Sequence, residues 1–284
     1  MDKKNSTTEI APRYTDEKLA IHWQVDDTPE SLERLFYHLG VKTNIKPYFE
    51  EALAGLDLDD KRFHQDLVVA DIGAGISWSS ALLARHPKVK RVYAVDPSTN
   101  RLKHAGFVAK HLGVEQKLII KQGTFLKPNI HEKVDLVLLS GSLHHCKDSE
   151  TEGLFSNIRQ LLKPGGEVLI AGEHYMDWRW AVKRFLRYFY RFRVRSTLGY
   201  SLWNLRRPHP FSGDHWRSLK DLERIFKTNG FVARFFNYKG LFSKDEFSFY
   251  RKIGWHCYYA ILRPAGLLGE RYIFKEEYFP YPMT

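Results

Sequence analysis

Apolar positions along this chain come in short, nearly unbroken runs, separated by stretches of helical period. The clearest is Leu67-Val-Val-Ala-Asp-Ile-Gly-Ala-Gly-Ile-Ser77, a β-branched run that climbs to an acid and two glycines one residue apart. A helix-like stretch over residues 78–85 follows. Similar runs predict strands at 91–96, 117–122, 134–139 and 167–171, with a helical segment ending at Leu162-Lys-Pro-Gly-Gly166 before the last of them. Strands alternating with helical segments predict a parallel, doubly wound sheet. Later, Trp216, Leu219, Leu222, Ile225 and Phe226 give residues 216–229 one apolar helical face, capped by Ser212 or Asp214, and two strands follow at 231–238 and 257–262. At the other end, residues 1 to about 17 are polar. A helix then starts at Asp27-Thr-Pro-Glu30, with Thr28 as its cap and Pro29 at its first position, and runs to Gly40; a second spans 47–54.

The acid–glycine segment reads as a strand, a tight turn and a helix opening. In that geometry a nucleotide-like ligand can approach backbone N–H groups. The next strand closes on Asp96, roughly 20 residues further on, where a carboxylate reaches ribose hydroxyls. A dinucleotide site wants a third glycine for close helix–strand packing, and here Trp78 occupies that position, which argues against NAD or FAD. No Gly-Lys-Ser/Thr follows, so a Walker phosphate loop is excluded as well.

The order Asp71-x-Gly73-x-Gly75 resembles the first motif of class I S-adenosylmethionine (SAM) methyltransferases, whose ligand has a ribose but no phosphate. The Leu-Lys-Pro-Gly-Gly turn is similar to the turn before that family's fifth strand, and the last two strands to its closing antiparallel pair. The resemblance covers about residues 65–175 and returns from about 216 to 264. It implies an α/β fold with a doubly wound, mostly parallel seven-stranded sheet (the Rossmann-like methyltransferase fold), N-terminal helices, and a basic helical insertion after strand 5. The expected division is a tail and helical cap over 1–60, a SAM-binding core over 61–175, a basic aromatic insertion over 176–215, and the end of the sheet with a tail over 216–284. The resemblance implies SAM as cofactor. Asp71, Gly73 and Gly75 would shape the loop at its methionine portion, Asp96 would accept the ribose hydroxyls, Thr124 and Phe125 would border the adenine, and Ser140 would lie near the sulfonium. Ser77 stands at the family's third glycine, and Thr124 where the family often has an acid.

Methyl transfer from a sulfonium is an in-line displacement, so alignment and exclusion of water supply most of the acceleration. A base is needed only when the acceptor has a proton to lose. His144 and His145 beyond the fourth strand and His174 beyond the fifth are candidates, since ligands bind at carboxyl ends of parallel strands and histidine titrates near neutrality. One of the His144–His145 pair would more commonly be a packed or capping residue than a base. His209 and His215 face the same choice between a place over the acceptor and a linker role. Two cysteines, Cys146 and Cys257, form no metal-ligand spacing, and the histidine pair with nearby Glu173 matches no metal motif, so no metal is expected.

Charge changes the picture in one place. Lys and Arg number 44 against 33 Asp and Glu, a formal +11. Residues 176–211 carry nine of the bases and a single acid, Asp177, a local +8. Trp178, Val182, Phe185, Phe189 and Phe192 recur at helical steps, with Arg179, Lys183, Arg187, Arg191 and Arg195 along the opposite side. Three readings stand: an ordinary surface helix; a wall of the acceptor site where Arg179, Lys183 and Arg187 attract an anion; or a helix lying on an anionic membrane surface. The functional expectation is SAM-dependent methyl transfer to a small-molecule or lipid-linked, anionic acceptor. The alternatives are an RNA methyltransferase or a catalytically silent SAM-binding subunit. No signal peptide is read, and no apolar run approaches the about 20 residues that span a bilayer. The expected location is cytoplasmic, with a peripheral hold on a membrane's inner face under the third reading.

Overall fold

The computed structural model describes residues 19–43, 45–179, 182, 215, 217–237, 255–266 and 275–278. Most of the predicted insertion, including Lys183, Arg187 and His209, lies outside the described residues, as does the N-terminal tail.

Eight strands form one sheet: β1 (Leu67–Ile72), β2 (Val89–Asp96), β3 (Leu118–Gln122), β4 (Val134–Ser140), β5 (Leu162–Met176), β6 (Phe231–Asn237), β7 (Trp255–Pro264) and β8 (Lys275–Tyr278). Their order is β3-β2-β1-β4-β5-β7-β6-β8. The first five are parallel, and β7 runs antiparallel between β5 and β6. The expected mostly parallel seven-stranded sheet is therefore present, and β8 adds an eighth, edge strand parallel to β6.

β1 is buried along its whole length because both faces of the sheet are covered. Leu67 and Val69 face one core with the N-terminal helices, while Val68, Ala70 and Ile72 face the other. On the first face lie α1 (Pro29–Tyr37), α2 (Ile45–Leu56), α3 (Trp78–Ala84) and α4 (Thr99–His111); on the second lie α5 (Thr151–Leu161) and α6 (Leu219–Thr228).

The N-terminal helices follow the sequence pattern, with two refinements. Pro29 opens α1, but the Thr28 side chain makes no cap bond, and its hydroxyl is drawn to Asp26 instead. Residues His38–Lys42 continue α1 as one π-helical turn. Beyond β5, the helix predicted to begin at Trp216 starts at Leu219. Ser218 accepts from the Asp221 N–H while Asp221 accepts from the Ser218 N–H, a capping box that displaces Ser212 and Asp214 from that role.

Two anchors hold the N-terminal segment on α4. His104 Nδ1 lies 2.7 Å from the Val25 carbonyl oxygen, and His111 Nε2 lies 2.8 Å from that of Asp26. Trp78, whose bulk excluded a dinucleotide site, packs edge-on against Phe49 of α2 at 5.3 Å between ring centroids. It is a core residue on the first face of the sheet.

Candidate active site

The carboxyl ends of β2, β1, β4 and β5 lie side by side along the sheet, the end at which open α/β sheets bind ligands. The turn after β1 carries three left-handed residues: Gly73 at φ +83°, Gly75 at +58° and Ser77 at +61°. Glycine takes that conformation without strain, whereas for an L side chain it costs about 1–2 kcal/mol. Gly73 is also fixed by space. A Cβ there would stand 2.6 Å from Ser142 Cβ and 3.5 Å from the Phe125 ring. Ser77, at the N-cap of α3, holds the same backbone shape with a side chain, and its buried hydroxyl makes no hydrogen bond.

Asp96 ends β2 and lies 5% exposed. Gly75 N–H donates to its Oδ2 at 2.8 Å and Ser98 N–H to its Oδ1 at 2.8 Å. The glycine turn and the strand-end carboxylate are thus latched together, with Gly73 and Ala74 N–H both donating to the Val95 carbonyl. Asp71 sits one strand over and is fully buried. Its Oδ2 accepts from the Ser79 and Ser80 hydroxyls of α3, at 3.1 and 2.6 Å, while Oδ1 has no partner. Burial drives its pKa up to about 7, against the two serine hydrogen bonds, and the Asp96 charge adds to the rise.

Phe125 borders the turn through its ring, and Thr124 closes its own turn by accepting from Lys127 N–H at 3.1 Å. Ser140 is the last residue of β4, in register with Ala171 of β5. Ser142, which sequence did not single out, ties this loop back to β1 by donating to the Ile72 carbonyl at 2.9 Å. Gly141 and Gly172, both at positive φ, face each other across the two strand ends with little more than van der Waals space between them.

The histidines gather on the same side. His144 and His145 form a 3-10 turn after β4, with their rings 4.0 Å apart at the centroids, and the His174 ring is 5.1 Å from that of His144. His174 lies within β5, not beyond it, because that strand continues past Ala171 to pair with β7. Its neighbour Glu173 is 2% exposed. Glu173 Oε1 accepts the Leu143 N–H at 2.6 Å, and Oε2 lies 3.0 Å from His144 Nδ1. Burial pushes against the Glu173 charge, yet the His144 charge and hydrogen bond, then His174 and the Leu143 N–H, outweigh it and leave the pKa lowered. An ionised carboxylate only accepts, so the hydrogen of this contact sits on His144 Nδ1.

Arg217 holds this loop from outside, itself only 5% exposed. It donates to the carbonyls of Leu143 and Cys146 and to Asp148 Oδ1. His215 N–H donates to the His144 carbonyl at 2.7 Å. The structure therefore brings His215 to the candidate base through its backbone, and burial lowers its imidazole pKa, with Arg217 adding to the effect. Arg179 lies further out, its guanidinium on Asp177 at 2.8 Å from Nε. Neither Glu173 nor Arg217 has a motif around it. What marks them is a buried charge, which a linear pattern does not carry.

A family profile described as a methyltransferase domain matches residues 69–166. The match covers about a third of the chain, the stretch that runs from β1 to the start of β5. An uncharacterized methyltransferase of Geobacillus kaustophilus is 31% identical over 112 residues, 39% of this chain and 48% of that protein. One of Bacillus cytotoxicus is 27% identical over 130 residues, 46% of this chain and 56% of that protein. The chain thus spans about half the length of the curated relatives it matches. Among solved structures, a geranyl diphosphate C-methyltransferase from Streptomyces coelicolor superposes on the methyltransferase domain and its flanks with a TM-score of 0.56 at 15% identity, covering 91% of this chain and 98% of that one. A SAM-dependent methyltransferase from Thiobacillus denitrificans, bound to S-adenosylhomocysteine, does so at 0.52 and 16% identity, covering 81% and 97%. These likenesses are of fold.

Proposed function

We propose that the protein transfers a methyl group from SAM to a small-molecule or lipid-linked acceptor that carries negative charge. The observation behind this reading is the latch between Gly75 N–H and Asp96 at the mouth of a turn with three left-handed residues. The residues present fit the cofactor. Asp96 stands at the end of β2, held there by the Gly75 and Ser98 amides beside the glycine turn, and Asp71 leaves one buried oxygen without a partner. Asp71, Gly73 and Gly75 would hold the methionine end, Asp96 the ribose, Thr124 and Phe125 the adenine edge, and Ser140 the region of the sulfur. When bound, SAM supplies an electrophilic methyl on a sulfonium.

The chain's own work is alignment and proton handling. Closing the crevice excludes water, which strengthens every dipole aimed at the developing charge. His144 takes the acceptor's proton on Nε2, and Glu173 on Nδ1 steadies the imidazolium that forms, as an orienting carboxylate does behind a general base. His145, His174 and His215 border the acceptor. The test is calorimetry with SAM: Asp96→Ala should weaken binding by ten-fold or more, and unchanged affinity would remove the assignment.

The charge of residues 176–211 supports an anionic acceptor, with Arg179, Lys183 and Arg187 as its contacts, and a peripheral hold on an anionic membrane. Trp178, 72% exposed, stands in solvent where that stretch begins. Each basic group near such a surface contributes on the order of 1 kcal/mol. Flotation with anionic liposomes should be lost in the double variant Arg187→Glu, Arg191→Glu; flotation indifferent to lipid charge would end this part of the reading.

A further inference from the structure

His144, Glu173 and His174 each offer one ligand atom, and these atoms lie within 4.8 Å of one another. Two imidazoles and a carboxylate suit borderline divalent cations such as zinc, iron or cobalt; magnesium and calcium prefer sites made of oxygen. Around a cation with bonds of about 2.1 Å, neighbouring ligand atoms stand about 3.0–3.4 Å apart. His144 Nδ1 and Glu173 Oε2 are 3.0 Å apart, a spacing that a hydrogen or a cation can bridge. The carboxylate is already buried and aimed, its other oxygen held by the Leu143 N–H in the way that outer hydrogen bonds orient metal ligands. The three side chains come from two separate chain segments, which explains why no linear spacing announced them.

We propose that His144, Glu173 and His174 bind one divalent transition-metal ion at the acceptor end of the crevice, with at least one coordination position open. The site shares His144 and His174 with the acceptor end proposed above, and so rests on that reading.

Cobalt(II) titrated into tag-free, metal-stripped protein should bind at one equivalent with visible d–d absorption, displaced by zinc(II). Glu173→Gln and His174→Asn should each weaken it at least ten-fold, while His145→Ala should leave it in place. In the zinc-loaded protein, nitrogen NMR should report His144 protonated at Nε2. Absence of the absorption, or its survival in both Glu173→Gln and His174→Asn with native circular dichroism, would overturn the site. SAM calorimetry on the parent protein keeps the two readings apart: SAM binding without cobalt absorption would count against the metal alone, and no SAM binding would count against the cofactor pocket.

Discussion

Replacing Asp71 with Asn tests how much the buried carboxylate costs the fold. The native pKa of about 7 stands about three units above the ordinary 3.8, and each unit is worth about 1.4 kcal/mol. Between those values the folded chain holds a proton that the unfolded chain has released. Stability therefore falls as pH rises through the interval, by about 4 kcal/mol in total. Asn cannot ionise, so that loss is absent. Its carbonyl oxygen can keep the Ser79 and Ser80 hydrogen bonds, while its NH2 takes the place of the partnerless Oδ1 and costs about 1–3 kcal/mol. The expected outcome is a variant more stable than the parent by about 1–3 kcal/mol at pH 8 and close to it at pH 5. Urea unfolding at pH 5, 6, 7 and 8 measures both chains, and their difference cancels every other titrating group. The gap should widen by about 1.4 kcal/mol per pH unit up to pH 7 and then level off. A gap independent of pH would refute the reasoning.

Ser77→Gly should stabilise the protein by about 1 kcal/mol, because it relieves a left-handed side chain and removes a buried hydroxyl without a partner; calorimetry should show Tm raised by about 2–4 °C. Arg217→Lys keeps the charge but loses the fork that spans the Leu143 and Cys146 carbonyls. It should cost about 2–3 kcal/mol in urea unfolding and lower kcat while leaving SAM affinity unchanged; a shift in SAM affinity instead would count against its role in placing His144.

Much of the fold was legible because the sheet is parallel and covered on both faces. Buried strands such as Leu67–Ile72 and Val134–Ser140 become continuous apolar runs that no amphipathic strand would give. The glycine turn was legible for a steric reason, since its residues need positive φ and leave no room for a Cβ beside Ser142. The reach of β5 was not. Leu162 and Met176 bound a strand that contains proline and three glycines, residues that punctuate a sequence even where the backbone continues. The start of α6 was misplaced because Trp216 fits the apolar spacing of the sequence, while Ser218 holds the cap. The pairing of His144 with Glu173 joins positions 29 residues apart, and Glu173 follows a register irregularity in β5 that begins after Ile170. Local pattern has no means of conveying that.

The segment around His215 and Arg217 grips the backbone on either side of His144. A displacement of that segment would reach the imidazole through one hydrogen bond of 2.7 Å and one guanidinium. Under the proposed function, proton handling is then answerable to the placement of two residues more than seventy positions further along the chain.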